Sequence, residues 1–320
     1  MILRKKDIKE IARVGTLYTT GGGIALRGQL KSFDTLADTD FIEIKDAEEF
    51  DPNGYVVRIG GIGPSTDDAE SAHDIKKMIE VLEKISDKKI VGIYPPEIGQ
   101  EAFVISGAIS AGLPLINFDP SGLRAKPCVD ISVFELLKMD YSLSPMVIAT
   151  SDGEIISVHD KLSSERCEKI MRNTTSISSS GSIFHVSGLV KVDDLIKKKI
   201  VNHPYTILKE VTKMNFDEFL KHEPVKEVFN AKITKHWEGE LKGFNIDNFE
   251  LMANDKIYRL IFQNEAMFLL DDKSNIVYSV PDRICLINAD KMEGVWVGDL
   301  KENMEFKIVV LEPEKIWREN

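Results

Sequence analysis

Along the first 120 residues the apolar positions change period repeatedly, from helical spacing to strand-like runs and back. Ile8, Ile11, Ala12 and Leu17 fall near helical spacing and predict a helix over residues 7–18, which runs into the loop Thr19-Thr20-Gly21-Gly22-Gly23. Apolar runs of strand length follow at FIEI from Phe41, YVVRIGGIG from Tyr55, KIVGIYPPE from Lys89 and LPLINFD from Leu113. Between the second and third, Ile75, Met78, Ile79, Leu82 and Ile85 give residues 65–86 an amphipathic helical pattern. Between the third and fourth, Gly99 to Ala111 reads as a small-residue helix able to pack closely on a sheet. Strands alternating with helices of this length indicate βαβ units, hence an α/β N-terminal domain with a mostly parallel sheet.

The pattern changes beyond Pro145. MVIATSDGEIISV reads as a hairpin turning at Asp152-Gly153 and marks a domain boundary, giving an α/β domain over residues 1–158 and a C-terminal domain over 159–320. Ser163 to Asn173 predicts a helix, Ser176 to Gly188 an extended segment, and Val192 to Lys213 helix broken at Pro204. From Phe229 onward, KITKHW, LKGFNI, KIYRLIFQNE, AMFLL, IVYSV, RICLI and FKIVVLE are short β-type runs separated by Gly, Asn and Asp. The C-terminal half is therefore expected to be α+β, ending in a β-rich sandwich or barrel-like unit.

Composition narrows the class. A chain of 320 residues, 43% hydrophobic and 29% charged, is that of an ordinary globular protein with a sizeable core. With 41 basic against 52 acidic residues the formal charge is -11, which argues against a nucleic-acid partner. The dense basic run Lys197-Lys198-Lys199 follows Asp193 and Asp194 and reads as the dipole-matched end of a helix. Cys128, Cys167 and Cys285 are odd in number and far apart, so a disulfide framework and a paired-cysteine zinc site are both disfavoured. The N-terminus has no apolar secretory core, and the longest uncharged run, between Ala102 and Asp119, is too short to span a membrane, so a cytoplasmic location without membrane contact is expected. The oligomeric state is left open.

Ligands of an open α/β sheet bind beyond the carboxyl ends of its strands, and Thr20–Gly23, Gly60–Ser65, Pro95–Gly99 and Asp119–Arg124 are placed to reach that edge. The first glycine loop follows a helix rather than a strand, and the helix after GGIGPS opens with Asp67, Asp68 and Glu70, which repel an anion. No nucleotide cofactor is expected, and the glycines read as sites of close backbone approach. Glu97, just past a strand end, fits either a general base or a helix N-terminal acid that satisfies backbone donors. Asp119 fits a site acid or the turn Asp-Pro-Ser-Gly, and Arg124 a partner for a ligand carboxylate or for one of these acids. The six histidines show no metal-ligand spacing; His185 in SIFHVSG is the one metal candidate, against a hydrogen-bonded core histidine.

TTGGG, EIG after the third strand, GLPLINFD with Gly122, Arg124, Ala125 and Pro127, then FQNE and VPDRIC, resemble in order and spacing the S-methyl-thiohydantoin desulfurase-like family. The family was long catalogued as a domain of unknown function and is linked with hydantoinase and oxoprolinase systems. The resemblance implies an α/β domain followed by a β-rich one, hydrolysis at C2 of a hydantoin- or thiohydantoin-type ring, and a hydantoinase- or oxoprolinase-type pathway partner. It places Glu97, Asp119 and Arg124 in catalysis or binding of an acidic substrate group. Thr20, Gly21, Gly22, Gly23, Asn117, Asn264, Glu265 and Asp282 are placed around the substrate. This chain departs from the pattern at Thr19, Ile24, Gln100 and Asn117, and Leu123 is inserted before Arg124. Two alternatives stand beside the hydrolase reading: a non-catalytic small-metabolite-binding homologue, and a metal-dependent cyclic amidohydrolase using Glu97, Asp119 and His185.

Overall fold

The computed structural model describes residues 1–63, 74–122, 132–200, 202–241 and 244–318. In chain order the first part comprises β1 (Ile2–Arg4), α1 (Lys5–Gly15), α2 (Leu26–Asp34), β2 (Phe41–Lys45), β3 (Tyr55–Ile62), α3 (Ile75–Ser86), β4 (Ile90–Tyr94), α4 (Glu101–Ala111) and β5 (Leu115–Ile116). It continues through α5 (Val133–Leu136), β6 (Met146–Thr150), β7 (Ile155–Val158), α6 (Ser164–Thr175), β8 (Ile183–Lys191), α7 (Val192–Lys198), α8 (Pro204–Val211) and α9 (Phe216–His222). Then come β9 (Val225–Leu241), β10 (Phe244–Ala253), β11 (Lys256–Gln263), β12 (Glu265–Asp271), β13 (Ile276–Ser279), β14 (Arg283–Asn288), β15 (Glu293–Gly294) and β16 (Glu305–Leu311).

The strands β1 to β8 form one sheet in the order β1-β2-β5-β4-β3-β8-β6-β7. Its centre, β2-β5-β4-β3, is parallel, as the βαβ reading requires. Its flanks are antiparallel: β1 on β2, and β8 between β3 and β6 with β7 outside. The sheet is thus mixed. The extended segment expected near Ser176–Gly188 is β8, and it belongs to this first sheet although it follows the hairpin β6–β7 in sequence. Helix α2 and the edge strand β1 have no counterpart in the sequence reading.

Local chemistry accounts for the helices over the sheet. Asp74 caps α3 by accepting from Lys77 N at 3.0 Å, and Ile75, Met78, Ile79 and Leu82 face inward. Gly107 of α4 lets Ile75 and Ile59 approach; a Cβ there would lie 3.2 Å from Ile75 Cγ1 and 3.4 Å from Ile59 Cδ1. The close packing expected of the small-residue helix is realised. The acidic turn Asp67, Asp68 and Glu70 and the thiol Cys128 lie outside the described residues. Cys167 and Cys285 are buried free thiols.

The strands β9 to β16 form a second sheet, β13-β12-β11-β10-β9-β16-β14-β15, in which every pairing is antiparallel. The expected β-rich unit is thus present as one antiparallel sheet, and among the described residues no pairing between β13 and β15 closes it into a barrel. The sequence runs were read as strands correctly, but alternating burial does not say whether a second sheet or a neighbouring domain covers the inner face. Here the sheet's own strands meet over that face, where Ile284, Leu286, Ile308 and Val310 share an apolar cluster with Phe249, Leu260 and Leu269, while the opposite face of β14 and β16 lies on the N-terminal domain: Cys285, Ile287, Val309 and Leu311 join Leu17, Tyr18 and Tyr205 in the largest apolar cluster. No helix among the described residues is long and apolar enough to cross a membrane.

Candidate active site

The loop after α1 is the junction between the two sheets. Thr20 O accepts from Ala266 N at 2.9 Å, and Gly21 O accepts from Val297 N at 2.8 Å, so consecutive carbonyls are tied to β12 and to the turn that follows β15. Thr20 itself has φ +53, unusual for a β-branched residue, and Asn264 opposite has φ +69. Gly21 is required twice over: its φ is +86, and a Cβ there would lie 2.7 Å from Phe262 Cε1. Gly22 is required by space, since a Cβ would sit 2.7 Å from Glu265 Cγ, 2.8 Å from Glu265 Oε1 and 3.0 Å from Asn264 O. The glycines thus press a backbone against a buried carboxyl.

Glu265 is 4% exposed and accepts from Asn264 Nδ2 at 2.9 Å. Burial, then the charge of Glu97, pushes its carboxyl well above the usual range, and the Asn264 hydrogen bond and Arg172 oppose this only in part. Its environment thus favours the protonated form relative to an exposed carboxyl. Glu97 follows β4 directly; its Oε1 accepts from Gln100 Nε2 at 3.2 Å, while Gln100 Oε1 accepts from Gly61 N at 3.4 Å. Gln100 joins the carboxylate to the end of β3. Two acids with unlike environments, Glu265 against Gly22 and Glu97 acting on it through its charge, are equipped to divide proton donation and acceptance between them.

A third acid lies deeper. Glu101 is 1% exposed and takes the Gly99 amide on both oxygens, at 3.1 and 3.0 Å. Burial raises its carboxyl to about 7, the Gly99 hydrogen bond works against this, and Asp119 and Glu97 add to it. Gln29 of α2, fully buried, donates to Ile24 O at 3.2 Å and to Gly99 O at 3.3 Å and so stitches the glycine loop to the loop bearing Glu97. Neither Glu101 nor Gln29 stands out in the sequence. An acid in a helix's first turn and a glutamine in a weakly patterned segment look like surface residues.

The remaining expected residues are dispersed. Asp119 is buried, its Oδ1 accepts from Ser121 N and Oγ at 2.7 Å each, and it lines a cavity of about 250 Å³ with Phe118, Gly122, Asn202 and Glu314. Neither Glu97 nor the glycine loop lines that cavity, although Asp119 and Glu97 both act on Glu101. Asn117 donates to Asp46 Oδ1 at 3.0 Å and Thr206 Oγ1 at 2.9 Å and accepts from Tyr205 N at 3.1 Å, which ties β5 to α8. Asp282 is held by Lys226 at 3.0 Å and by Arg318. Arg124 lies outside the described residues. His185 is buried on β8 with Nδ1 2.9 Å from Ser187 Oγ; a Cβ on Gly60 would lie 2.8 Å from its Nε2 and 3.1 Å from Pro96 Cγ. Burial and then the Arg58 charge hold the imidazole neutral, well below its ordinary pKa. Among the described residues, the group with metal-ligand geometry is His236, Glu238 and Asp247, within 4.8 Å of one another, and it includes none of Glu97, Asp119 or His185.

No curated protein matches the chain. Over its full length the chain resembles the crystal structure of a protein from Chromobacterium violaceum, solved by a structural genomics consortium. That likeness has a TM-score of 0.78 at 15% identity and covers 94% of that protein, which establishes the fold alone. Two family models, S-Me-THD-like N-terminal domain over residues 6–160 and S-Me-THD-like C-terminal domain over 163–320, match consecutive stretches. With nearly every residue accounted for by the two in their natural order, the chain belongs to the S-Me-THD-like family.

Proposed function

We propose that the chain hydrolyses a five-membered hydantoin- or thiohydantoin-type ring at C2, with the reaction centred where Gly21–Gly23 meets Glu265 and Glu97. The observation that carries this reading is the buried carboxyl of Glu265 lying against Gly22, raised in pKa by that burial and by the Glu97 charge. Glu97 accepts a proton from water as its oxygen bonds to C2. The C2–S bond then breaks and the sulfur leaves with a proton supplied by Glu265, so S-methyl-thiohydantoin and water give hydantoin and methanethiol. Amides of the glycine loop stabilise the negative charge that develops on the ring. Gln100 and Asn264 orient the two acids, Asp119 helps to position water, and Arg124 is assigned to an acidic substrate group. No nucleotide enters the scheme. A cytoplasmic setting and a hydantoinase- or oxoprolinase-type partner go with this proposal.

The test is incubation of the full chain with S-methyl-thiohydantoin, thiohydantoin and hydantoin, following ring absorbance and thiol release, with and without prior chelation. Turnover that survives chelation and falls by about 10²–10⁴-fold in both Glu97→Gln and Glu265→Gln supports the assignment. Ligand-dependent thermal stabilisation without turnover of any ring replaces it with a binding protein. Turnover lost on chelation and restored by metal replaces it with a metal-dependent amidohydrolase.

A further inference from the structure

Arg58 lies in the middle of the first sheet, on β3 between β4 and β8, with Tyr94 and Ser187 as its cross-strand partners. It is 0% exposed. Its charge reaches the Tyr94 and Tyr141 hydroxyls, the Cys167 thiol and His185, and each of these neighbours is neutral. Tyr94 donates to Gly188 O at 2.5 Å and lies 3.4 Å from Tyr141 Oη, so the two hydroxyls engage each other and the backbone. The acid that acts on both tyrosines, Glu135, is engaged by Ser132 and by Ser164 at 3.2 Å. Among the described residues no carboxylate pairs with Arg58, and its Nε and Nη2 have no hydrogen-bond partner.

A guanidinium cannot shed its proton within a protein, so burial does not neutralise it as it would a lysine. An unpaired buried cation is strongly unfavourable. The two unsatisfied atoms are also the two that matter geometrically: Nε–H and one Nη2–H form a single edge of the planar fork, parallel donors spaced for the oxygens of a carboxylate or nitrate. Along β3 this edge lies one strand repeat before Gly60, where His185 and Pro96 converge.

We infer that Arg58 is the receptor for one small monoanion, held inside the N-terminal sheet by the Nε–Nη2 edge and walled by Tyr94, Tyr141 and Ser187. The ligand chemistry is a single negative charge no larger than a short carboxylate, drawn either from small organic acids or from inorganic anions. This inference is independent of the hydrolase reading: it requires no ring substrate and predicts no turnover.

The experiment uses the full chain dialysed into HEPES with sodium gluconate as ballast, at constant ionic strength. Thermal unfolding is followed as formate, acetate, chloride or nitrate replaces gluconate. A saturable rise of roughly 3 °C or more is expected in the wild type, with no such rise in Arg58→Met or Arg58→Gln. Formate and acetate acting alone identify an organic acid as the ligand; chloride and nitrate acting alone identify an inorganic one. An anion carried through purification is read in the wild type by acid release and ion chromatography, which does not depend on any variant folding. One equivalent per chain supports the site. A flat titration together with no stoichiometric anion on release overturns it, as does an equal response in the Arg58 variants.

Discussion

Glu101 shows how a single buried proton couples the site to stability. Its carboxyl titrates near 4.5 in the unfolded chain and at about 7 in the folded one, so the folded state binds the extra proton between those values. Its contribution is therefore complete below about pH 4.5 and is lost as pH rises through about 7. Glu101→Gln keeps an acceptor for the Gly99 amide and removes the titration. In urea unfolding the variant is expected to gain on the wild type from pH 5 to pH 8, by up to roughly 3 kcal/mol. A difference that stays flat across that range contradicts the assignment. Gly22 makes a steric counterpart. An alanine there must displace Glu265 or the Asn264 carbonyl, and Gly22→Ala is expected to cost about 1–3 kcal/mol in the same measurement and to lower ring turnover at least tenfold. Of these residues, Glu97 was legible in the sequence, because a carboxylate after two prolines at a strand end has little packing purpose. Glu265 was legible only through its family motif. Glu101 was not legible, because the groups around its carboxyl come from distant parts of the chain: Gly15 of α1, for one, lies so close that a Cβ there would be 3.2 Å from Glu101 Oε1.

Strand β8 illustrates the same limit one level up. Local pattern identifies residues 183–191 as extended, but the choice of β3 and β6 as partners is made by burial of both faces, which periodicity alone does not encode. The parallel centre was legible because each crossover helix sits between the strands it connects. The antiparallel addition was not, because α6 and the preceding hairpin intervene. The two family models meet between residues 160 and 163, whereas the first sheet draws on the chain as far as Lys191. A fragment of residues 1–160 therefore leaves β3 and β6 with open edges where β8 stood. It is expected to show no cooperative melt and little protection of β3 amides in hydrogen exchange, while a fragment of residues 1–223 restores that protection. Equal protection in the two fragments is incompatible with β8 as the strand that completes the sheet.

At the scale of the whole molecule the two sheets share apolar and polar ties. Leu311, Val309, Ile287 and Cys285 of the second sheet are fully buried in the cluster that includes Leu17 and Tyr18. Around this seam Gly294 N donates to Thr16 Oγ1 at 2.7 Å, and Arg13 Nη1 donates to Lys291 O at 3.0 Å and Met292 O at 2.8 Å. An interface built like a core does not open without exposing apolar surface on both sides, so the halves are expected to unfold together. The chain supplies two different probes. Its α-helices among the described residues all precede residue 225, and Trp237, Trp296 and Trp317 all follow it. Ellipticity at the helical minimum thus reports the first half, and tryptophan emission reports the second half together with the seam, where Trp296 meets Arg27 and Trp317 lines the cavity with Phe118. Their urea midpoints are expected to coincide in the wild type. Leu311→Ala should lower both midpoints together, by about 2–5 kcal/mol in unfolding free energy. Separate midpoints, or a Leu311→Ala shift confined to the tryptophan signal, would mean that the glycine loop joins two domains free to part, and the carboxyl pair it brings together would then be assembled only in a closed form.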